Sequence, residues 1–393
     1  MDTQNTPVHV RLWHKDFWLM ALACLLLTTA MYLPLPLLPE WLMQACGCTP
    51  VEAAICVGMP GVGIFLLGCF CSYLVQRYRR NIVCIYSVFA VAFCFYILQW
   101  LQGGVGTAAG AFGIVAVVRL VQGALFGLAQ MVLSSTLIID TCESFRRTEA
   151  NYSAAWFSRI ALSLGPVLAL GLLPAVGFGG VMIVGVILCM VAVMLIFVVK
   201  FPFKAPEDIV RHVSADRFFL PQGKWLFANL ILVMMAVGLV FSVSSTVYFY
   251  GMLSVGFALS LLAARFVFVN AELKSEAVTG LALMIAAMLV MLSGEGGAVV
   301  SLVPVLIGCG VGVVGSRFLL FFIKLSPHCK RGTSQSTYFL ACESGLSLGL
   351  FLGYGFFHGD VHGAAVMSLT LCCIALAMYL VFTHRWYVRH KNR

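Results

Sequence analysis

The stretch VVRLVQGALFG, Val117 to Gly127, decides how this chain reads. A cation, Arg119, and an amide, Gln122, stand inside a run that is otherwise apolar and glycine-rich. The apolar character extends from residue 106 to 138, more than the roughly 20 residues that cross a bilayer. An arginine at the centre of such a span costs at least ~2.5–3.5 kcal/mol, so it calls for a partner or a wet cavity.

The surroundings say that the span is real. The chain has 393 residues, 62% hydrophobic and 10% charged, with a mean hydropathy of +1.01. A soluble protein of this length cannot cover so much apolar side chain with so few polar groups. Apolar runs of spanning length recur at 17–38, 51–75, 82–101, 106–138, 152–173, 178–200, 224–249, 251–270, 276–293, 297–323, 334–357 and 361–383. The short alternating segments of an outer-membrane barrel do not occur. An all-α membrane protein of twelve transmembrane helices is expected, with the N-terminal span retained as the first helix.

The basic residues orient it. All but three of the 24 Lys and Arg fall at the termini or in alternate loops, and the intervening loops have none. The positive-inside rule then puts both termini in the cytoplasm of a plasma membrane, the bacterial inner membrane. The three exceptions, Arg119, Arg159 and Arg317, fall inside spans. Most of the 15 cysteines lie in apolar spans, where they act as small hydrophobes. No zinc-ligand spacing appears. His358, Asp360 and His362 read as a solvated loop.

The chain repeats itself. SYLVQRY (72–78) matches SLLAARF (260–266), and RRTEANYSAAWFSRIALSLG (146–165) matches KRGTSQSTYFLACESGLSLG (330–349), with an identical LSLG. The polar segment near the middle reads as a linker. The expected organisation is a six-helix bundle over 1–200, a cytoplasmic linker over 201–223, and a second bundle over 224–393 ending in a basic tail. Two halves built from one repeat, with a site between them, form a transporter pattern.

Arg119, Gln122, Gly123 and Gly127 resemble the fourth-span Arg-x-x-Gln-Gly motif of the major facilitator superfamily, most like its drug:proton antiporter branch. The segment Ser72 to Asn81 resembles the family's loop between spans two and three, with Leu74, Arg77, Arg79 and Arg80 matching. Gln76 stands where the family has an aspartate, and the motif's glycines are missing. Gly165 and Pro166 resemble its fifth-span Gly-Pro element. The resemblance covers essentially the whole chain and implies the major facilitator fold, two pseudo-symmetric six-helix bundles. It also implies alternating access and a gate involving Gln76, Arg77, Arg79, Arg80, its repeat partner Arg265, Gly165 and Pro166. Without the aspartate, the latch at this loop must be weaker or built from neutral hydrogen bonds.

In the family, spans four and ten line the central cavity, with five and eleven beside them. Arg119 is then either a structural clamp or a cavity cation. Glu343, the repeat equivalent of Arg159, is read as the one carboxylate clearly inside a span, at a depth similar to Arg317. A Glu343–Arg317 pair is expected, either permanent or opening when Glu343 is protonated. Tyr32, Gln122, Gln130 and Tyr338, together with Trp156, Asn229, Ser242, Ser244, Ser245, Tyr248 and Tyr354, are candidates to complete a pocket. Three cations and one anion make a net-positive cavity that favours an anionic or zwitterionic solute.

No phosphate-binding Gly-x-x-x-x-Gly-Lys loop is present, so ATP-driven pumping is not encoded, and no metal motif suggests an enzyme. The expected protein is a monomeric secondary transporter that exports a small amphiphile. A proton gradient supplies its energy in place of any cofactor, and its other partners are membrane lipids, not nucleic acid. A lipid or lysolipid translocator of the same fold is the competing reading.

Overall fold

A computed structural model describes residues 12–102, 108–143, 145–201, 211–268, 271–294, 296–327 and 330–391. Among them, eleven helices are long and apolar enough to cross a membrane. In chain order the helices are α1 (Lys15–Tyr32), α2 (Leu38–Gln44), α3 (Pro50–Leu66), α4 (Cys71–Arg77), α5 (Arg80–Leu101), α6 (Ala108–Val132), α7 (Ile138–Asp140) and α8 (Arg147–Val198). Then follow α9 (Lys224–Ser242), α10 (Val247–Phe266), α11 (Leu273–Leu292), α12 (Gly297–Leu325), α13 (Arg331–Phe356), α14 (Val361–Met378) and α15 (His384–His390).

Helix α8, at 52 residues, would be about 78 Å long if straight, against a hydrocarbon core of about 30 Å. It breaks at Gly177, whose φ of 66° belongs to the left-handed side that a Cβ disfavours. Its two arms are separate passes, so the chain crosses twelve times, as the hydropathy pattern anticipates.

Local signals explain several ends. Thr49 and Glu52 form a reciprocal capping box at the start of α3. Asp360 is the N-cap of α14 and accepts from the Gly363 amide, which accounts for the acid between the two loop histidines. Thr246 caps α10, so α9 stops at Ser242 rather than running to 249. Ser244 and Ser245 consequently lie in the connecting turn, and Tyr248 is exposed with its hydroxyl on Ser301, so none of the three reaches an internal pocket. Helix α6 ends in a π-turn, Leu133–Leu137, before α7.

The packing repeats six passes apart. In the first half α1 lies on the first arm of α8, α3 on α6, and α5 on the second arm of α8; in the second half α9 lies on α13, α10 on α12, and α11 on α14. The seam between the halves is made by α3 with α13 and by α10 with the first arm of α8, again a symmetric pair of contacts. The structure is therefore two pseudo-symmetric six-helix bundles.

Small residues permit the close approaches within each half, as membrane helices require. A Cβ at Gly123 would collide with the Pro60 backbone of α3, and one at Gly165 with Tyr32 and the Thr29 carbonyl of α1. These motif glycines are contact points between helices.

Candidate functional site

A cavity of about 60 Å³ lies on the seam, lined by α1, α6, α8, α9, α12 and α13. Five of the residues singled out by sequence line it: Tyr32, Gln130, Arg159, Tyr338 and Glu343. Arg159 and Glu343 hold equivalent positions on α8 and α13, so the repeat itself delivers both charges to one chamber.

Arg159 is 6% exposed, and its side-chain hydrogen bonds go to neutral groups of the opposite half. Its Nε donates to the Tyr338 hydroxyl of α13 at 3.1 Å, and one Nη donates to Ser316 Oγ of α12 at 2.7 Å. The guanidinium also sits 4.8 Å from the Trp156 ring centre, a cation–π contact. Its other Nη is buried without a partner. A delocalised cation with spare donors suits a carboxylate or phosphate.

Glu343 is held by one hydrogen bond, donated by the Tyr32 hydroxyl of α1 at 2.5 Å. That bond also crosses the seam. Below it, Gln130 Nε2 is shared among Cys24 Sγ, Thr28 Oγ1 and Ser158 Oγ at 3.2 Å each, and its Oε1 is unpartnered. Gln335, which the sequence reading missed, also lines the cavity with an unpartnered carbonyl oxygen. The available signal was the repeat: Gln335 is the counterpart of Asn151, and both are amides in register. Ser163 of α8 accepts from Ser254 of α10 at 2.8 Å, a further bond across the seam that had no sequence signal.

Arg119 stands apart from the main chamber. It is 4% exposed and donates to Gln122 on its own helix at 2.6 Å; its Nε and Gln122 Nε2 are unpartnered. With Tyr32 and Glu343 it lines a second cavity of about 30 Å³ beside Pro60. The two cavities share Tyr32 and Glu343, so Arg119 approaches the same carboxyl group from the other side.

The expected Glu343–Arg317 pair is not formed. Arg317 pairs with Glu276 in the first turn of α11; the Glu276 side chain is buried and that of Arg317 half-buried. The cause is helical geometry. Gly315 and Ser316 face Arg159 across the seam, and each further residue turns about 100° around the helix, which carries position 317 toward α11. Glu276 was missed because span nine was taken to begin at that residue; α11 begins at Leu273 and buries it. Only one cation and one anion line the main chamber, so it is balanced rather than net positive.

At the end of the bundle that bears both termini, the polar contacts differ from the expected loop latch. Gln76 is half-buried, and Arg77, Arg79 and Arg265 are exposed. Arg80 instead forms an ion pair with Asp140 of α7. An acid, Asp216, reaches this end from the segment before α9. Asp216 accepts from Thr333 of α13 at 3.2 Å and lies 3.5 Å from Ser72 of α4. The amides of Arg217 and Leu220 donate to Thr333 and Thr337 of α13.

A paired-bundle chain with a buried polar chamber on its seam and no catalytic constellation has the build of a membrane carrier. The profile of the Major Facilitator Superfamily matches residues 20–350. The chain belongs to that superfamily and is a secondary transporter, not an enzyme. No curated protein sequence matches it. Among solved structures it is similar to the POT family transporter PepTSo (TM-score 0.70, 13% identity, 97% of this chain and 100% of that one). It is also similar to the human organic anion transporter MFSD10 (0.68, 15%, 92% and 98%). A bacterial homologue of the iron transporter ferroportin in an outward-facing state matches as well (0.67, 15%, 96% and 100%). At these identities the likeness is one of fold.

Proposed function

We propose that the chain exports a small zwitterionic or anionic amphiphile in exchange for protons, by alternating access of residues 1–200 and 224–393 around the central chamber. The observation that carries this reading is that the chamber's two charged side chains are held only by neutral hydrogen bonds to the opposite half. Such bonds break and re-form when halves rock. A cavity of about 60 Å³ holds only a few waters, so a solute enters when the seam opens.

The roles follow from the chemistry. Arg159 takes the substrate's carboxylate or phosphate on its spare donor, with Gln130 and Tyr338 orienting the rest. Glu343 takes either the substrate's ammonium group or a proton, and Tyr32 holds it in the empty state. Competition for one carboxyl group is what antiport demands. Arg119 and Gln122 set the polarity behind Glu343. At the terminus-bearing end, taken as cytoplasmic in a plasma or bacterial inner membrane, Arg80 belongs to the gate with its neighbours Gln76, Arg77 and Arg79. Gly165 and Pro166 form the close contact of α8 with α1, and Arg265 is the repeat counterpart of Arg77. The transporter acts as a monomer, within the drug:proton antiporter branch.

The test is transport by the purified chain in proteoliposomes across a panel of zwitterionic, anionic and cationic amphiphiles, with and without a pH gradient. The wild type should concentrate zwitterions against an imposed proton gradient. Glu343→Gln should still exchange them but lose the response to pH. A wild type indifferent to the gradient, or one that prefers lipophilic cations, overturns the reading.

One observation favours a lipid cargo instead. An apolar groove of about 520 Å³ lies between α3 and α13, lined by Ile55, Met59, Phe65, Leu348 and Phe351, with Ser344 and Ser347 beside Glu343. A labelled lysolipid that crosses proteoliposome leaflets while soluble zwitterions do not would decide for it.

A further inference from the structure

Another polar cavity lies apart from the central chamber. It has a volume of about 150 Å³ and lies at the terminus-bearing end, where both halves and the segment before α9 meet. Four arginines line it, Arg80, Arg147, Arg217 and Arg331, against two aspartates, Asp140 and Asp216. Asp140 is committed to Arg80. Asp216 accepts from Thr333 and lies 3.9 Å from the Arg217 guanidinium. With Arg80 paired to Asp140 and Arg217 beside Asp216, Arg147 adds a positive charge that neither aspartate takes up.

Three independent features mark it as a binding site rather than a solvated basic surface. First, Ser135 Oγ, in the π-turn after α6, is buried on this cavity with no partner, and so is Arg147 Nε. Second, Arg217 is the one described non-glycine residue in the left-handed region, with φ 59°. Such backbone is held only where its surroundings over-determine it. Third, burial and the neighbouring Arg80 hold the Arg217 guanidinium below its ordinary pKa in spite of Asp216 and Asp140. The N-termini of α8 and α13 open beside the cavity at Arg147 and Arg331, with no side-chain cap on either, and add unsatisfied amides of the right sign.

We propose that this cavity binds a phosphate-type oxyanion, which joins Arg147 of the first half to Arg217 and α13 of the second and holds this end of the seam together. The ligand is either free inorganic phosphate or the phosphate of an anionic lipid headgroup. Guanidinium forks, a hydroxyl and helix N-termini recognise the same group in both.

The experiment is a thermal-unfolding titration of the full chain in detergent with inorganic phosphate, against chloride at matched ionic strength. A parallel comparison uses nanodiscs of phosphatidylcholine with and without phosphatidylglycerol. The expected result is a saturable rise of roughly 3–6 °C in Tm, absent in Arg147→Gln and needing about fivefold more ligand in Ser135→Ala. Stabilisation by phosphate in detergent identifies the free ion; stabilisation by phosphatidylglycerol alone identifies the lipid headgroup. If Arg147→Gln does not fold, Ser135→Ala carries the comparison. A Tm indifferent to both ligands, or a shift that survives both substitutions, overturns the proposal.

Discussion

Arg159 and Arg317 are both arginines set among membrane helices, the first buried and the second half-buried, yet their surroundings differ in one decisive respect. Arg317 has a carboxylate partner, Glu276, and both belong to the second half of the chain. Arg159 has no carboxylate partner, and its hydrogen bonds go to Tyr338 and Ser316 on the opposite half. Motion between the halves leaves the first pair untouched and disrupts the second set. A charge satisfied inside one rigid body holds that body together, whereas a charge satisfied across a seam reports, and biases, how the two bodies stand.

The largest effect should come from unbalancing the paired arginine. Glu276→Gln leaves the half-buried Arg317 without counter-charge and should cost about 3 kcal/mol of stability, the low end for a broken buried pair, read as a lower Tm in detergent. Replacing both partners with Met and Leu should recover most of that loss and leave transport intact; failure to recover would place the pair in the working cycle. Next, Arg159→Gln should fold with a near-normal Tm but reduce transport of any anionic or zwitterionic solute about 100-fold, equivalent to about 2.7 kcal/mol. An unchanged rate would dissolve the contrast between the two arginines.

A smaller effect is expected at the other cross-seam bond. Tyr32→Phe removes the lone hydrogen bond to Glu343, and a bond to a charged group contributes about 1.5–3 kcal/mol. Its measurable result should be a shifted balance between inward- and outward-accessible states, followed by cysteine accessibility on either side of the seam. Least of all, Arg265→Gln should alter stability by no more than about 0.5 kcal/mol and leave transport unchanged, because the side chain is exposed on the last turn of α10. A marked loss there would return the repeat-derived gate to the second half.

Twelve crossings were legible because each apolar run is long and the turns between them are polar. The repeat register went further: aligning 146–165 with 330–349 brought Arg159 and Glu343 to one chamber without any coordinates. What the sequence could not supply was facing. Span numbers and depths placed Arg317 level with Glu343, but a helix turns each successive side chain, and only packing shows which neighbour it meets. The same limit hid Glu276, one turn inside a helix start. Asp216 was hidden for another reason: it lies in a polar segment with no periodic pattern, so nothing local announced that it would meet Ser72 of α4 and Thr333 of α13.

The π-turn at Leu133–Leu137 governs the ion pair between Arg80 and Asp140. A π-turn amounts to one residue more than a regular helix needs over that stretch. It leaves Asp140 a full step less far round the axis than an unbroken α6 would, and in that setting Asp140 reaches Arg80. Relaxing the turn into ordinary α-helix would swing the carboxylate about 100° and uncouple it, with the axis of α6 unmoved. Deleting a single residue from this stretch removes only the surplus, so the lock should stay shut; adding a residue after the turn is the change that works like a turned key.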